Sequence, residues 1–281
     1  MSLTLSPEGA QVAYRAVGSG PPDLVFLHGW AGSSAYFEES FDALDLDHAR
    51  AIGVDLSGHG ESPSHDADWS LECMDNAVLA AANAADADRF VAVGFSMGAK
   101  IALHLAVARP DRVAALVLVS GMPASSIPLP AELLDDWYSR AGDAAAMKEL
   151  VAPFLTGPVD EAAYDRFARG AARVPRSALE GTMQVTLETD FAASLPSIAA
   201  PTLVIAGALD TLFTPKLLRE TLADRIPGAR LVVVDCGHEI PLERPREFAA
   251  LIEAFLAGHV GALYTMQTGH RRRVLGERPL I

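Results

Sequence analysis

The stretch RFVAVGFSMGAKIALHLAVARP, residues 89–110, changes periodicity half-way along, and the change comes at a serine between two glycines. Arg89–Phe95 is a short, near-continuous apolar run, the pattern of a strand buried on both faces. From Met97 to Ala108 the residues read as a helix, which Arg109-Pro110 stops. Between the two lies Gly94-Phe95-Ser96-Met97-Gly98, a G-x-S-x-G pentapeptide in strand-turn-helix context. Gly94 and Gly98 lack Cβ and so permit the close backbone approach of a sharp turn. Such a turn lifts the serine to the carboxyl edge of the sheet. There the unpaired N–H groups that open the helix favour negative charge. The plain alternative is a serine in a glycine-rich βα turn with no chemistry.

Similar apolar runs recur at Asp23–His28, Ala51–Leu56, Val113–Ser120, Pro201–Ala206 and Ala229–Asp235, separated by helix-like stretches. The alternation predicts an α/β fold, a parallel sheet with helices on both faces. A hairpin of Leu3–Leu5 and Gln11–Val17, turning at Pro7-Glu8-Gly9, is expected to add antiparallel strands at one edge. The rhythm breaks after Met122. Four helices are expected at Ala131–Arg140, Ala144–Phe154, Glu161–Ala172 and Arg176–Leu187, punctuated by prolines. The reading is a helical cap, residues 122–190, inserted into an α/β core of residues 1–121 and 191–258. Residues 259–281 form a basic tail, with Arg271, Arg272, Arg273 and Arg278 against Glu277.

The 281 residues are half hydrophobic and about one-fifth charged, with a formal net charge of −14. An acidic surface argues against nucleic acid and against anionic membranes as partners. No apolar run approaches the ~18–20 residues that cross a bilayer. MSLTLSPEGA, the first ten residues, lacks the basic and apolar regions of a signal peptide. Cys73 and Cys236 form no motif, which fits a reducing cytoplasm. A homo-oligomer is left open.

Two further residues stand where the serine needs partners. Asp210 follows the strand ending near Ala206. Thr214-Pro215 is the better N-cap and N1 pair for the next helix, which leaves the Asp210 carboxylate unassigned. The end of the preceding strand, Ser120-Gly121, offers no carboxylate. His238 follows the last strand, on a loop expected to run to a helix starting around Pro245. Serine, aspartate and histidine in that order, each after a separate strand, point to a nucleophile, an orienting acid and a base. Asp235 and Glu239 compete as acids, but adjacency to His238 does not let either face its ring reliably. Glu243 reads as a structural acid near the final helix. His28-Gly29-Trp30 ends the strand Asp23–His28. Backbone N–H groups of Trp30 and Met97 are the candidate oxyanion hole, and His28 is read as structural.

Together these four sites resemble the α/β-hydrolase family as far as about Gly258. Asp55-Leu56-Ser57-Gly58-His59-Gly60-Glu61-Ser62 is similar to its D-x-x-G-x-G-x-S loop, and Gly237-His238 with Glu243-Arg244-Pro245 to its C-terminal signature. The resemblance implies an eight-stranded, mostly parallel sheet with a helical cap over the site. The His28-Gly29-Trp30 form resembles small bacterial serine carboxylesterases, including pimeloyl-carrier-protein methyl ester esterases. Two positions depart from the family pattern: Ala99 stands where a second glycine is common after the elbow, and Lys100 at a position that varies. Ser96 separates the chain from the dehalogenase and epoxide hydrolase branches, whose nucleophile is aspartate. The implied function is hydrolysis of small-molecule carboxylic esters through an acyl-enzyme, with no metal or organic cofactor. Cleavage of a carbon–carbon bond or a lactone on the same triad, or a non-catalytic small-molecule receptor, are the other readings. Trp30, Phe95 and Met97 flank the motifs and are expected beside the substrate. Met122, Trp137, Tyr138, Phe154 and Met183 are candidates for the pocket wall.

Overall fold

A computed structural model describes residues 1–64 and 69–259 of the chain. The apolar runs become strands β3 (Asp23–Leu27), β4 (Arg50–Asp55), β5 (Phe90–Phe95), β6 (Val113–Val119), β7 (Thr202–Gly207) and β8 (Arg230–Val234). Every residue of β3, β5, β6 and β7 is buried. Burial on both faces follows the period of two: Phe90 and Ala92 of β5 point into one core layer, and Val91, Val93 and Phe95 into the other. The first layer packs against α2 (Leu71–Ala84) and α3 (Met97–Ala108), through Val78, Ala81, Ile101 and Leu105. The second packs against α1 (Glu38–Ala43) and α10 (Pro245–Ala257), through Phe41, Phe248 and Ile252.

β1 (Ser2–Leu5) and β2 (Gln11–Gly18) form the expected hairpin, and β2 is antiparallel to both of its neighbours. The order across the eight-stranded sheet is β1-β2-β4-β3-β5-β6-β7-β8, parallel from β4 to β8. The chain therefore winds one way from β3 to β4 and the other way from β5. The carboxyl ends of β3 and β5 border the crevice at this switch point, the place where open α/β sheets bind ligands. Their register pairs Leu27 with Gly94, so Gly29-Trp30 and Ser96-Met97 emerge side by side.

One expectation needs correcting. The run Ala229–Asp235 reads as a strand buried on both faces, yet β8 is only partly covered, with Val233 48% exposed. It is the last strand of the sheet and has one neighbour, so its valines reflect strand propensity more than burial.

Between β6 and β7 the chain is helical: α4 (Ala131–Ser139), α5 (Ala144–Val151), α6 (Glu161–Arg173) and α7 (Arg176–Glu188). Asp143 and Asp160 cap α5 and α6 by accepting from the N–H groups of Ala145, Ala146 and Ala163. The segment's two ends run together, with Ile127 N–H donating to Leu187 O (2.8 Å) and Phe191 N–H to Ala124 O (3.0 Å). Of the basic segment expected from residue 259, all but the first residue lies outside the described residues.

Candidate active site

The turn at Ser96 is as sharp as its sequence requires. Ser96 has φ 52° and ψ −114°, a conformation rare for a residue with a side chain. A Cβ at Gly94 would strike the backbone of Gly98 and Ala99, and one at Gly98 the carbonyl of Leu27 at the end of β3. Both glycines are therefore fixed by contact. Ala99 is fully buried, and a Cβ at Gly121 would lie 2.9 Å from its methyl. The extra methyl at position 99 is matched by a missing one at 121. Backbone bonds tie the elbow to β6 and beyond: Ser96 N–H donates to Val119 O (2.9 Å), and Met122 N–H to Ser96 O (3.0 Å).

His238 meets the elbow from the loop after β8. Its Nε2 lies 3.1 Å from Ser96 Oγ, and its Nδ1 lies 2.8 Å from Asp210 Oδ2. Asp210 is held by two backbone donors, the N–H groups of Leu212 (2.8 Å) and Phe213 (3.0 Å), both on Oδ1. Thr214 caps α8 (Pro215–Leu218) by accepting from Leu217 N–H, which leaves Asp210 to the histidine. Burial alone would raise the Asp210 pKa, but the His238 bond and charge and the two N–H donors hold it below its ordinary value. Burial alone would lower the His238 pKa, but the bond to Asp210 and the nearby carboxylates hold it above its ordinary value. An ionised Asp210 can only accept, so Nδ1 carries the proton and Nε2 is left to accept from the serine hydroxyl. The rings of Phe95, Phe154 and Phe213 lie 5.2–6.3 Å from the imidazole and screen it from water.

The loop carrying His238 differs from the expectation. α9 (Ile240–Glu243) follows almost at once, with Pro241 in its first turn, and α10 starts at Pro245. Glu243 at the end of α9 accepts from Gly237 N–H (2.9 Å), Thr156 N–H (2.9 Å) and Gly157 N–H (2.8 Å). One buried carboxylate thus joins the histidine loop to the loop before α6.

His28 is fully buried. Its Nδ1–H donates to Gly29 O (2.8 Å) and its Nε2 accepts from Leu56 N–H (3.1 Å). Burial lowers its pKa to about 4, so it stays neutral and structural. The motif Asp55–Ser62 is structural too: Asp55 accepts from the N–H groups of Ser34 (2.6 Å) and Glu61 (2.9 Å). A Cβ at Gly29 would lie 3.3 Å from that of Ser96. Among the described residues no acceptor takes the N–H of Trp30 or of Met97.

The crevice is a cavity of about 190 Å³, and its lining includes Trp30, Phe95, Ser96, Met97, Met122, Trp137, Phe154, Met183 and His238. Trp30 is set by α7 through a bond from Nε1 to Leu179 O (2.9 Å), and it packs 5.8 Å from Trp137. Tyr138 does not line the cavity: helical periodicity turns it behind Trp137, buried against Trp30. Sequence reasoning missed Tyr36, Phe167, Leu212 and Phe213, which also line the cavity, and gave Glu239 no place there. Among the described residues no group of three or more His, Cys, Asp or Glu side chains is arranged to hold a metal ion.

Comparison with known proteins agrees with this layout. The model of the α/β hydrolase fold family matches residues 22–172. A pimeloyl-(acyl-carrier protein) methyl ester esterase of Aromatoleum aromaticum is 32% identical over 84% of this chain and 99% of its own length. Its counterpart from Nitrosomonas europaea is 30% identical over 87% and 99%. Among solved structures, an esterase from Exiguobacterium antarcticum superposes with a TM-score of 0.83 at 20% identity, covering 91% of this chain and 99% of its own. The chain belongs to the α/β-hydrolase family, as a hydrolase of its esterase-like kind. No helix among the described residues is long and apolar enough to cross a membrane.

Proposed function

We propose that the protein is a serine hydrolase that cleaves carboxylic esters of small molecules through an acyl-enzyme. Ser96 Oγ attacks the ester carbonyl while His238 Nε2 takes its proton, and Asp210 holds the tautomer and stabilises the imidazolium. The oxyanion lies between the N–H groups of Trp30 and Met97; losing one such donor typically costs ~3 kcal/mol of barrier. The intermediate collapses, His238 returns the proton to the leaving alcohol, and water then attacks the acyl-enzyme with the same base. The carboxylic acid leaves and Ser96 recovers its proton. Residues 122–190 serve as a cap that shapes the substrate cavity. Among the described residues no disulfide joins Cys73 and Cys236, which supports a cytoplasmic location.

The observation that carries the reading is the unbroken hydrogen-bond chain from Ser96 through His238 to Asp210, at 3.1 and 2.8 Å. Ser96→Ala is expected to lower turnover of a short-chain p-nitrophenyl ester by at least about a thousandfold. A fluorophosphonate is expected to label the wild type and not the variant. Equal turnover by the two proteins would sink the assignment.

A further inference from the structure

Among the described residues, the cavity has one pair of polar side chains, Tyr36 and Glu239, that the Ser96–His238–Asp210 chain does not use. Glu239, next to His238, lines the cavity and is 6% exposed. Its Oε2 accepts a hydrogen bond from the Tyr36 hydroxyl. Among the described residues its other oxygen, Oε1, has no partner, and it is not among the fully buried unpaired atoms. Tyr36 is itself fixed, stacked on Phe95 at 4.9 Å and 14° and packed edge-on to Phe167 at 5.7 Å. Burial first, then the charges of Asp210 and Glu243, push the Glu239 carboxyl above its ordinary pKa, against the pull of His238 and Tyr36. Among the described residues no lysine or arginine lines the cavity.

We infer that Glu239, braced by Tyr36, is a specificity-determining hydrogen-bonding station, and that the site prefers uncharged esters bearing a hydroxyl or amide group over plain apolar ones and over carboxylate-bearing ones. The inference deepens the ester-hydrolase reading and rests on it for the reaction. A purely apolar substrate leaves the Glu239 oxygen shut away from water without a partner, which is the basis of strong discrimination at polar sites. A hydroxyl can donate to an ionised Glu239 or accept from a protonated one, and an amide offers its N–H or its C=O for the same two cases. A substrate carboxylate would enter a largely apolar space in which no lysine or arginine among the described residues meets it.

The test compares kcat/KM for ethyl butyrate, ethyl 3-hydroxybutyrate, 2-hydroxyethyl butyrate and monoethyl succinate, in 1 M salt to screen the acidic surface. The two hydroxyl-bearing esters place the donor on the acyl and the alcohol side. Ratios taken within one protein cancel differences in the amount of active enzyme. In the wild type at least one hydroxyl-bearing ester is expected to exceed ethyl butyrate about tenfold, and monoethyl succinate to fall at least about tenfold below it. Glu239→Leu is expected to bring the hydroxyl ratio to about one, while Glu239→Gln, which keeps an acceptor, retains most of it. A wild-type ratio of one or less for both hydroxyl esters, equal turnover of monoethyl succinate, or a ratio unchanged in Glu239→Leu would overturn the proposal. A second readout needs no catalysis. Trp30 and Trp137 line the cavity, so tryptophan fluorescence can report binding of 3-hydroxybutyramide, N-(2-hydroxyethyl)butyramide and butyramide. Tighter binding of a hydroxyl amide, lost in Glu239→Leu, would uphold the station even if Ser96→Ala turned over esters normally; equal binding of all three would reject it.

Discussion

His238 is pulled two ways, and in the proposed mechanism that balance sets the pH dependence. Burial favours the neutral ring, but the bond and charge of Asp210 outweigh it, with Glu239 and Glu243 adding to the same side. The folded pKa therefore lies above 6.5. The proposed general-base attack needs the neutral ring, so on that proposal kcat/KM is expected to rise with pH along a limb centred above 6.5. Asp210→Asn removes the main raising influence. Its limb is expected to shift to lower pH while the plateau falls by a factor on the order of 10²–10⁴. A wild-type limb centred below 6.5 would contradict this account. Ser96, Asp210 and His238 are legible in the sequence because each follows its own apolar strand and no other element claims its side chain. Tyr36 and Glu239 are not. Tyr36 lies in a short 3-10 turn, Ser34–Phe37, that carries no periodic signal. Glu239 adjoins a histidine whose ring is already paired with Asp210, and only the turn into α9 aims it at Tyr36.

Helix α3 carries two functions at once, which its periodicity hides. Its start presents Met97 at the elbow, and one turn on Lys100 is fully buried, donating to Ser125 O (2.9 Å) and Thr189 O (2.7 Å). Those carbonyls stand at the entry and exit of the helical segment between β6 and β7, so one ammonium pins both ends to the elbow helix. From the sequence Lys100 is only a helix position that varies within the family; its partners lie 25 and 89 residues away. Burial lowers its pKa from 10.5 to about 8, opposed by Asp190. Between those values the unfolded chain binds more proton than the folded one, so this group's contribution to stability grows as pH rises from 8 toward 10.5. Wild type is therefore expected to gain thermal stability relative to Lys100→Met across that window. Melting curves of both proteins at pH 7.5, 9 and 10 check it, and a constant difference would refute it. The four helices of the segment are legible because proline breaks and caps such as Asp143 and Asp160 are local signals. The exposure of β8 is not legible, because a run of valines is the same in a central strand and at an edge.

At the scale of the whole molecule, the sheet and the helical segment are held by different forces. Strands β3, β5, β6 and β7 are buried on both faces and joined by parallel ladders, so their amides open only with the global fold. Helix α6 instead touches the core partly through charge. Arg166 pairs with Glu38 at 3.1 Å and with Glu39, both on α1, and Arg173 pairs with Glu61 at 3.1 Å. These side chains are about one-third to two-thirds exposed, so each pair is worth little, roughly 0–1 kcal/mol, and is weakened by salt. Small terms at one seam still decide which part opens first. Hydrogen–deuterium exchange is therefore expected to protect the four central strands most strongly. Raising salt from 0.05 to 1 M should speed exchange in α6 about two- to fivefold while leaving the strands nearly unchanged, and Arg166→Ala at low salt should produce the same local effect. Equal acceleration of α6 and the central strands would mean that charge at this seam does not set the local opening, and that the helical segment unfolds only with the sheet.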